Sequence, residues 1–206
     1  MYVLGLTGLI AAGKSSVSSL LAERGAVVID CDQVAREVVA PGQPALAEII
    51  AHFGPAYQQP DGTLDRAALG RLVFADPHAL AQLEALTHPR IRAVLEARLA
   101  DLAARGTVPL VVVEAVKLLQ SGLHEVCDAV WVVRAPAEVR LRRLVADRGL
   151  DEATARQRIA AQGGGAALVA AAERVLDNDG DPAALAAAVE AAFRADLDPW
   201  VNCCRL

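Results

Sequence analysis

The stretch "GLIAAGKSS", Gly8 to Ser16, constrains what this chain can fold into more than any other. It fits the pattern Gly-x-x-x-x-Gly-Lys-Ser through Gly8, Gly13, Lys14 and Ser15. The apolar run "YVLGL" precedes it, and Val17, Leu20 and Leu21 follow at helical spacing up to a stop at Gly25. A flexible turn opening a helix is the plainer alternative. Strand before and helix after, however, are the context that a phosphate-binding loop needs. There, successive backbone N–H groups wrap an anion at the positive end of the helix. Lys14 reaches the outer phosphates and the Ser15 hydroxyl ligates Mg²⁺. Leu9 is the awkward member, because at positive φ its branched side chain is strained.

The rest of the chain supplies the frame. "AVVID" is a second apolar, β-branched run, so strand, loop, helix, strand opens a parallel α/β unit. No strand-like run occurs from residue 33 to 105. Helical stripes stand there instead: Val34, Val38 and Val39, then Leu46, Ile49, Ile50 and Phe53, then Ile91, Val94, Leu95 and Leu102. "DPH" and "HPR" each place a proline at an expected first helical position, which makes His88 a cap or a packed imidazole. Residues 33–105 therefore read as a helical lobe inserted after strand two. Strands resume at "LVVVE" and "AVWVV", with Trp131 in the core, and a charged helical pair spans Ala137 to Gln162. "GGG" reads as a joint, "RVLDN" as a fifth strand, and a last helix runs from Pro182 to about Ala195. The tail "DLDPWVNCCRL" receives no assignment.

At 206 residues, 54% apolar and 22% charged, the chain fits one soluble core with a small lobe. A net charge of −5 argues against a general binder of nucleic acid or membrane surfaces. Cys31, Cys127, Cys203 and Cys204 have no metal-ligand spacing, and such thiols fit a reducing compartment. Neither a leader pattern nor a bilayer-length apolar run occurs, so a cytoplasmic protein is expected. The expected assembly is a monomer or weak homo-oligomer, which no motif in the sequence specifies.

The guanine signature N-K-x-D is absent. What remains is the pattern of a small-molecule kinase: phosphate loop, acid after strand two, helical insertion and arginine-rich lid. Asp30 and Asp32 follow "VVI" at the carboxyl edge, where open α/β sheets place ligands, and period-two geometry sends both to one side. A carboxylate there accepts the proton of an attacking hydroxyl. Asp32 is the chosen base with Asp30 in reserve; a helix N-cap is the other role for Asp32, and both can hold together. Glu114, ending strand three, is placed to hold a Mg²⁺-bound water. Arg134, Arg140, Arg142, Arg143, Arg148, Arg156 and Arg158 either coat a solvated face, with Asp147 pairing Arg143, or form a lid of cations over the phosphates. The lid is favoured, with Arg140 and Arg148 as its cations and Arg142 on the surface. Asn178 is either an adenine reader or a turn residue.

Together, "GLTGLIAAGKSSV", "VIDCDQVAREVVAPGQPAL", "DGTLDRAALGRLVFAD", "LEALTHPRIR", "RLRRLVADRGL" with "ARQRIAAQ", and "VLDNDGD" resemble the dephospho-coenzyme A kinase family, in order from Val3 to about Asp181. The resemblance implies an α/β P-loop kinase fold: a five-stranded parallel sheet flanked by helices, with an inserted helical substrate lobe and a helical lid. It implies a nucleotide-binding core (1–32, 106–136 and 174–206), an acceptor lobe (33–105) and a lid (137–173). It also implies transfer of the γ-phosphate of ATP to the ribose 3′-hydroxyl of dephospho-CoA with Mg²⁺, which makes ATP and dephospho-CoA the expected small-molecule partners. Carried over by position, the ATP loop is Ala11, Ala12, Gly13, Lys14, Ser15 and Ser16 behind Gly8. Asp32 falls at the base, Arg140 near the phosphates, and Asn178 in the adenine-side loop. Three departures stand out. Leu9 replaces a usual glycine or asparagine, Ser16 stands where threonine is common, and after Gln162 a usual charged stretch is "GGGAALVAAAER". The rivals are a kinase for another nucleotide or nucleoside, and a nucleotide-binding protein that has lost catalysis.

Overall fold

Strand β1 (Tyr2–Gly8), buried from Val3 onward, is the middle of a five-stranded sheet. A central parallel strand is covered on both faces, which is why its sequence is apolar without alternation. The computed structural model describes residues 1–163 and 165–203, the side chains of 202 and 203 excepted. Gly164 of the glycine joint and Cys204 of the tail lie outside the described residues. The chain continues through α1 (Lys14–Ala22), β2 (Val27–Asp30), α2 (Cys31–Glu37), α3 (Pro44–Phe53), α4 (Arg66–Ala75) and α5 (Pro77–Arg105). Then come β3 (Leu110–Glu114), β4 (Ala129–Arg134), α6 (Ala137–Ala146), α7 (Glu152–Ala161), α8 (Ala166–Ala170), β5 (Arg174–Asp177), α9 (Pro182–Ala192) and α10 (Asp198–Cys203). Two compact units result, one of Met1–Asp30 with Asp101–Leu206, the other of Cys31–Ala100.

The first unit holds the sheet, in the order β2-β3-β1-β4-β5 with every pairing parallel. Register sets Leu6 beside both Glu114 and Trp131, and Gly8 beside Val133, so the carboxyl ends of β1, β3 and β4 finish at one edge. Leu4, Leu6, Val17, Leu21, Val112, Trp131, Leu176, Val189 and Leu197 belong to one core cluster built from strands, α1 and the C-terminal helices. The chain does not leave that core at Ala195. Phe193–Leu197 make a π-helical turn and α10 follows. Phe193, Leu197 and Val201, buried at every fourth position, carry the tail onto the core. Arg174 adds a two-pronged ion pair to Asp196, and Tyr2 and Trp200 lie 5.5 Å apart by ring centre.

The second unit is helical. A proline opens α3 and Gly54 ends it. The Asp65 carboxylate accepts from the Ala68 N–H at 2.8 Å and caps α4. Between these helices, Gln58 and Leu64 pair in an isolated bridge around the "PDGT" turn. The expectation at "HPR" is corrected: Pro89 lies inside the 29-residue α5, and His88 starts no helix. Proline removes one backbone donor from the ladder. Nearby carbonyls take side-chain donors, Thr87 Oγ1 to Leu83 O at 2.8 Å and Arg90 Nη1 to Leu86 O at 2.7 Å. Strong helix formers on both sides keep the run continuous.

Candidate active site

Steric limits shape the loop first. A Cβ on Gly8 would stand 2.4 Å from the Val133 carbonyl oxygen, so β1 can end there only in glycine. Gly13 caps α1 at φ 99, and a Cβ on it would lie 2.0 Å from Asn178 Nδ2. Between them, the Ala12 N–H donates to Leu9 O and the Ser16 N–H to Gly13 O, each at 3.1 Å. Ala11, at φ 58, is the one described residue other than glycine in the left-handed region. That conformation costs about 1–2 kcal/mol. The strain anticipated at Leu9 therefore falls at a residue with only a methyl to accommodate. Leu9 instead faces the joint, where a Cβ on Gly165 would come within 3.1 Å of its Cδ1. Two of the three departures from the family pattern, a leucine in the loop and a glycine in the joint, meet each other.

Side chains from distant positions brace this loop. Arg143 Nη1 donates to the carbonyls of Ala11 and Ala12, both at 3.2 Å, and its Nη2 to Asn178 Oδ1 at 2.8 Å. Asn178 Nδ2 donates in turn to Ala12 O at 2.8 Å. Gln162 Oε1 accepts from the Ile10 N–H at 2.7 Å. Helices α6 and α7 join through Leu141, Leu144 and Ala155, and Ile10, Ala11, Leu150 and Ile159 pack against that cluster. Lys14 is buried, its Nζ 3.4 Å from Gly8 O. Ser15 Oγ donates to Glu114 Oε1 at 3.3 Å, and Ser18 Oγ to the other carboxylate oxygen.

Over the loop opens a cavity of about 700 Å³ lined by Ala11, Gly13, Lys14, Ser15, Ser16, Arg143, Arg148, Asn178 and Gly180. Its volume suits a small-molecule site. Cations from Lys14, Arg143 and Arg148 join the positive end of α1, so the cavity favours a polyanion. Ala12, fully buried, supports the loop from beneath. Arg142 is exposed.

Other expected residues lie differently. Arg140 does not line this cavity. It faces a second one of about 490 Å³ with Leu9, Val133, Leu168 and Asp177. It is 5% exposed, and its Nε and Nη1 have no hydrogen-bond partner. Burial pushes its guanidinium below the ordinary arginine value. Asp32 is exposed and sits in the first turn of α2, which begins at Cys31, so it is no N-cap. Because β2 ends at Asp30, the period-two relation of Asp30 to Asp32 does not apply. The Asn178 amide is committed to Arg143 and Ala12, which makes it a brace of the loop more than a reader of a base.

The family model for dephospho-CoA kinase matches residues 2–183. This chain belongs to the dephospho-CoA kinase family. It is 50% identical over 194 residues to the dephospho-CoA kinase of Moorella thermoacetica, covering 94% of this chain and 92% of that protein. The dephospho-CoA kinase of Geobacter sulfurreducens is 47% identical over 190 residues, 92% of this chain and 96% of its own. Among solved structures, a Thermus thermophilus protein superposes with a TM-score of 0.80 at 33% identity, over 95% of this chain and 97% of that one. The fold is thus the P-loop kinase fold with its five-stranded parallel sheet.

For this member of the dephospho-CoA kinase family, the residue that the sequence undervalued is Arg143. Asp147 is a partner that sequence spacing offers it, yet its donors go to the loop and Asn178. Helical spacing put it on the face of Arg140, and nothing local says which of the two reaches the loop. Gln162 was visible only as the end of a helix; its bond to Ile10 needs the fold.

Proposed function

We propose that this chain transfers the γ-phosphate of ATP to the ribose 3′-hydroxyl of dephospho-CoA, giving coenzyme A and ADP, the last step of coenzyme A synthesis. The observation that carries this is the braced phosphate loop and its cavity, in a chain half identical to a dephospho-CoA kinase along nearly its whole length. The loop N–H groups, Lys14 and Arg148 grip the triphosphate, and Lys14 stabilises charge that grows on the phosphate oxygens during transfer. Asp32, on the first turn of α2, accepts the hydroxyl proton as the new O–P bond forms. The helical unit takes the acceptor, and the lid of residues 137–173 excludes water.

Ser15 Oγ and the Glu114 carboxylate, 3.3 Å apart, are hard oxygen donors of the kind Mg²⁺ prefers. Ser15 would ligate the ion directly and Glu114 would hold one of its waters; so small a donor set binds it together with the nucleotide. When bound, Mg²⁺ neutralises charge between the β- and γ-phosphates. Arg140 joins this reading through its two unpartnered nitrogens, since a guanidinium buried without acceptors is costly and phosphate oxygens are acceptors that fit it. No described helix is long and apolar enough to cross a membrane.

Incubation with ATP, Mg²⁺ and dephospho-CoA, followed by mass spectrometry, tests the assignment. A 3′-phosphorylated product is expected. A nucleoside monophosphate phosphorylated while dephospho-CoA stays intact would overturn it.

A further inference from the structure

Three of the six arginines of the helical unit have an acid beside them: Arg90 pairs with Glu48, Arg92 with Glu96, and Arg98 with Glu37. Arg36, Arg66 and Arg71 do not, and of these only Arg36 and Arg66 touch each other. Arg36 stands in the last turn of α2, Arg66 is the first residue of α4, and Arg66 Nη2 donates to the Arg36 backbone carbonyl at 3.2 Å. Among the described residues neither guanidinium has a carboxylate partner. The acids next to them in sequence are committed, Glu37 to Arg98 and Asp65 to the N–H of Ala68. Although Arg66 is exposed at the surface, partial desolvation first, and then the like charge of Arg36, push it below the ordinary arginine value.

Capping the carbonyl end of α2 explains one Arg66 N–H. It does not explain a second cation brought alongside with no acid between them, an arrangement that repels until an anion joins it. Both residues are exposed, and two guanidinium forks close enough to feel each other's charge match the oxygens of a phosphodiester or diphosphate.

Position along α2 supplies the second observation. Asp32 and Arg36 are four residues apart, on one face and about 6 Å apart along the axis. In a nucleotide, the 3′-hydroxyl and the 5′-phosphate hang from one sugar ring. An anion held one helical turn from a carboxylate therefore presents its own ribose hydroxyl to that carboxylate.

We propose that Arg36 and Arg66 clamp the 5′-diphosphate of the acceptor nucleotide and so set its 3′-hydroxyl at Asp32. The clamp rests on the kinase reading above and names how the acceptor is recognised. It makes the preferred acceptor a ribonucleoside bearing a 5′-diphosphate and leaves an unphosphorylated nucleoside poorly held.

Steady-state kinetics of Arg36→Gln and Arg66→Gln at saturating ATP, with dephospho-CoA and adenosine as acceptors, test it. Each variant should raise KM for dephospho-CoA by about tenfold or more while KM for ATP stays put, which also reports an intact fold. The preference for dephospho-CoA over adenosine should collapse by a similar factor, and Arg66→Lys should recover part of the loss. An unshifted KM, or equal losses on both acceptors, would overturn the clamp while the kinase reading stood. No 3′-phosphorylated product from the unaltered protein would instead overturn the kinase reading and the clamp with it.

Discussion

In the phosphate loop the groups proposed to meet the ligand are backbone N–H donors, and side chains from far along the chain hold the loop in shape: Arg143, Asn178 and Gln162. In α2 the division of labour is reversed. Its backbone is an ordinary short helix, and in the proposed reading the side chains of Asp32 and Arg36 are the working groups. A loop whose shape is the active feature spreads its dependence over many residues, each contributing moderately. A helix that only displays side chains concentrates its dependence in one or two, with little effect on the fold.

That contrast breaks first if α2 tolerates change. Asp32→Asn should lower turnover by about 10²–10⁴-fold while ATP affinity, read by titration calorimetry, is retained. Near-normal turnover would erase the asymmetry between the two regions. Gly13→Ala should come next. It places a side chain at φ 99 and against the Asn178 amide, adding about 1–2 kcal/mol of backbone strain to a steric clash. ATP affinity should drop by roughly tenfold or more, and Asn178→Ala in the same chain should restore part of it by removing the obstacle. If it restores nothing, the two residues are not coupled as described.

Arg143→Lys should be milder, about 1–3 kcal/mol of stability, because one ammonium cannot span two carbonyls and an amide oxygen. A thermal melt checks this; an unchanged midpoint would mean that the brace is dispensable. The smallest effect belongs to Arg134→Gln, at the exposed Arg134–Asp177 pair where β4 and β5 end together. The Arg134 guanidinium holds the Asp177 carboxyl below the usual aspartate range, its hydrogen bond being the larger cause. A depressed carboxyl contributes stability above its unfolded pKa and loses it as pH falls through the folded one. The variant should differ little at neutral pH and not at all in strong acid. A large difference that persisted in acid would assign Arg134 another role.

Local signals account for what was legible beforehand. The strand at "LVVVE" and the phosphate loop could be located because apolar runs and motif spacing depend on a few adjacent residues. Pro89 misled because the rule that proline opens helices is local, while a long run of helix formers overrides it. The tail had a signal in Phe193, Leu197 and Val201, hidden among polar neighbours. That Arg143 braces the loop was hidden for a deeper reason. Which arginine meets the loop depends on how α6 lies against Ile10 and Ala11, a contact between residues far apart in the chain. The pairing of Arg36 with Arg66 was out of reach for the same reason.

The space beside Gly13 has a practical corollary. Since the Asn178 carboxamide fills it and also hangs Ala12 from above, the phosphate loop is not a portable module. Transplanting residues 8–16 into another sheet would carry over the glycines but leave an unfilled gap where the asparagine belongs. A successful graft would have to bring along the end of β5 as well.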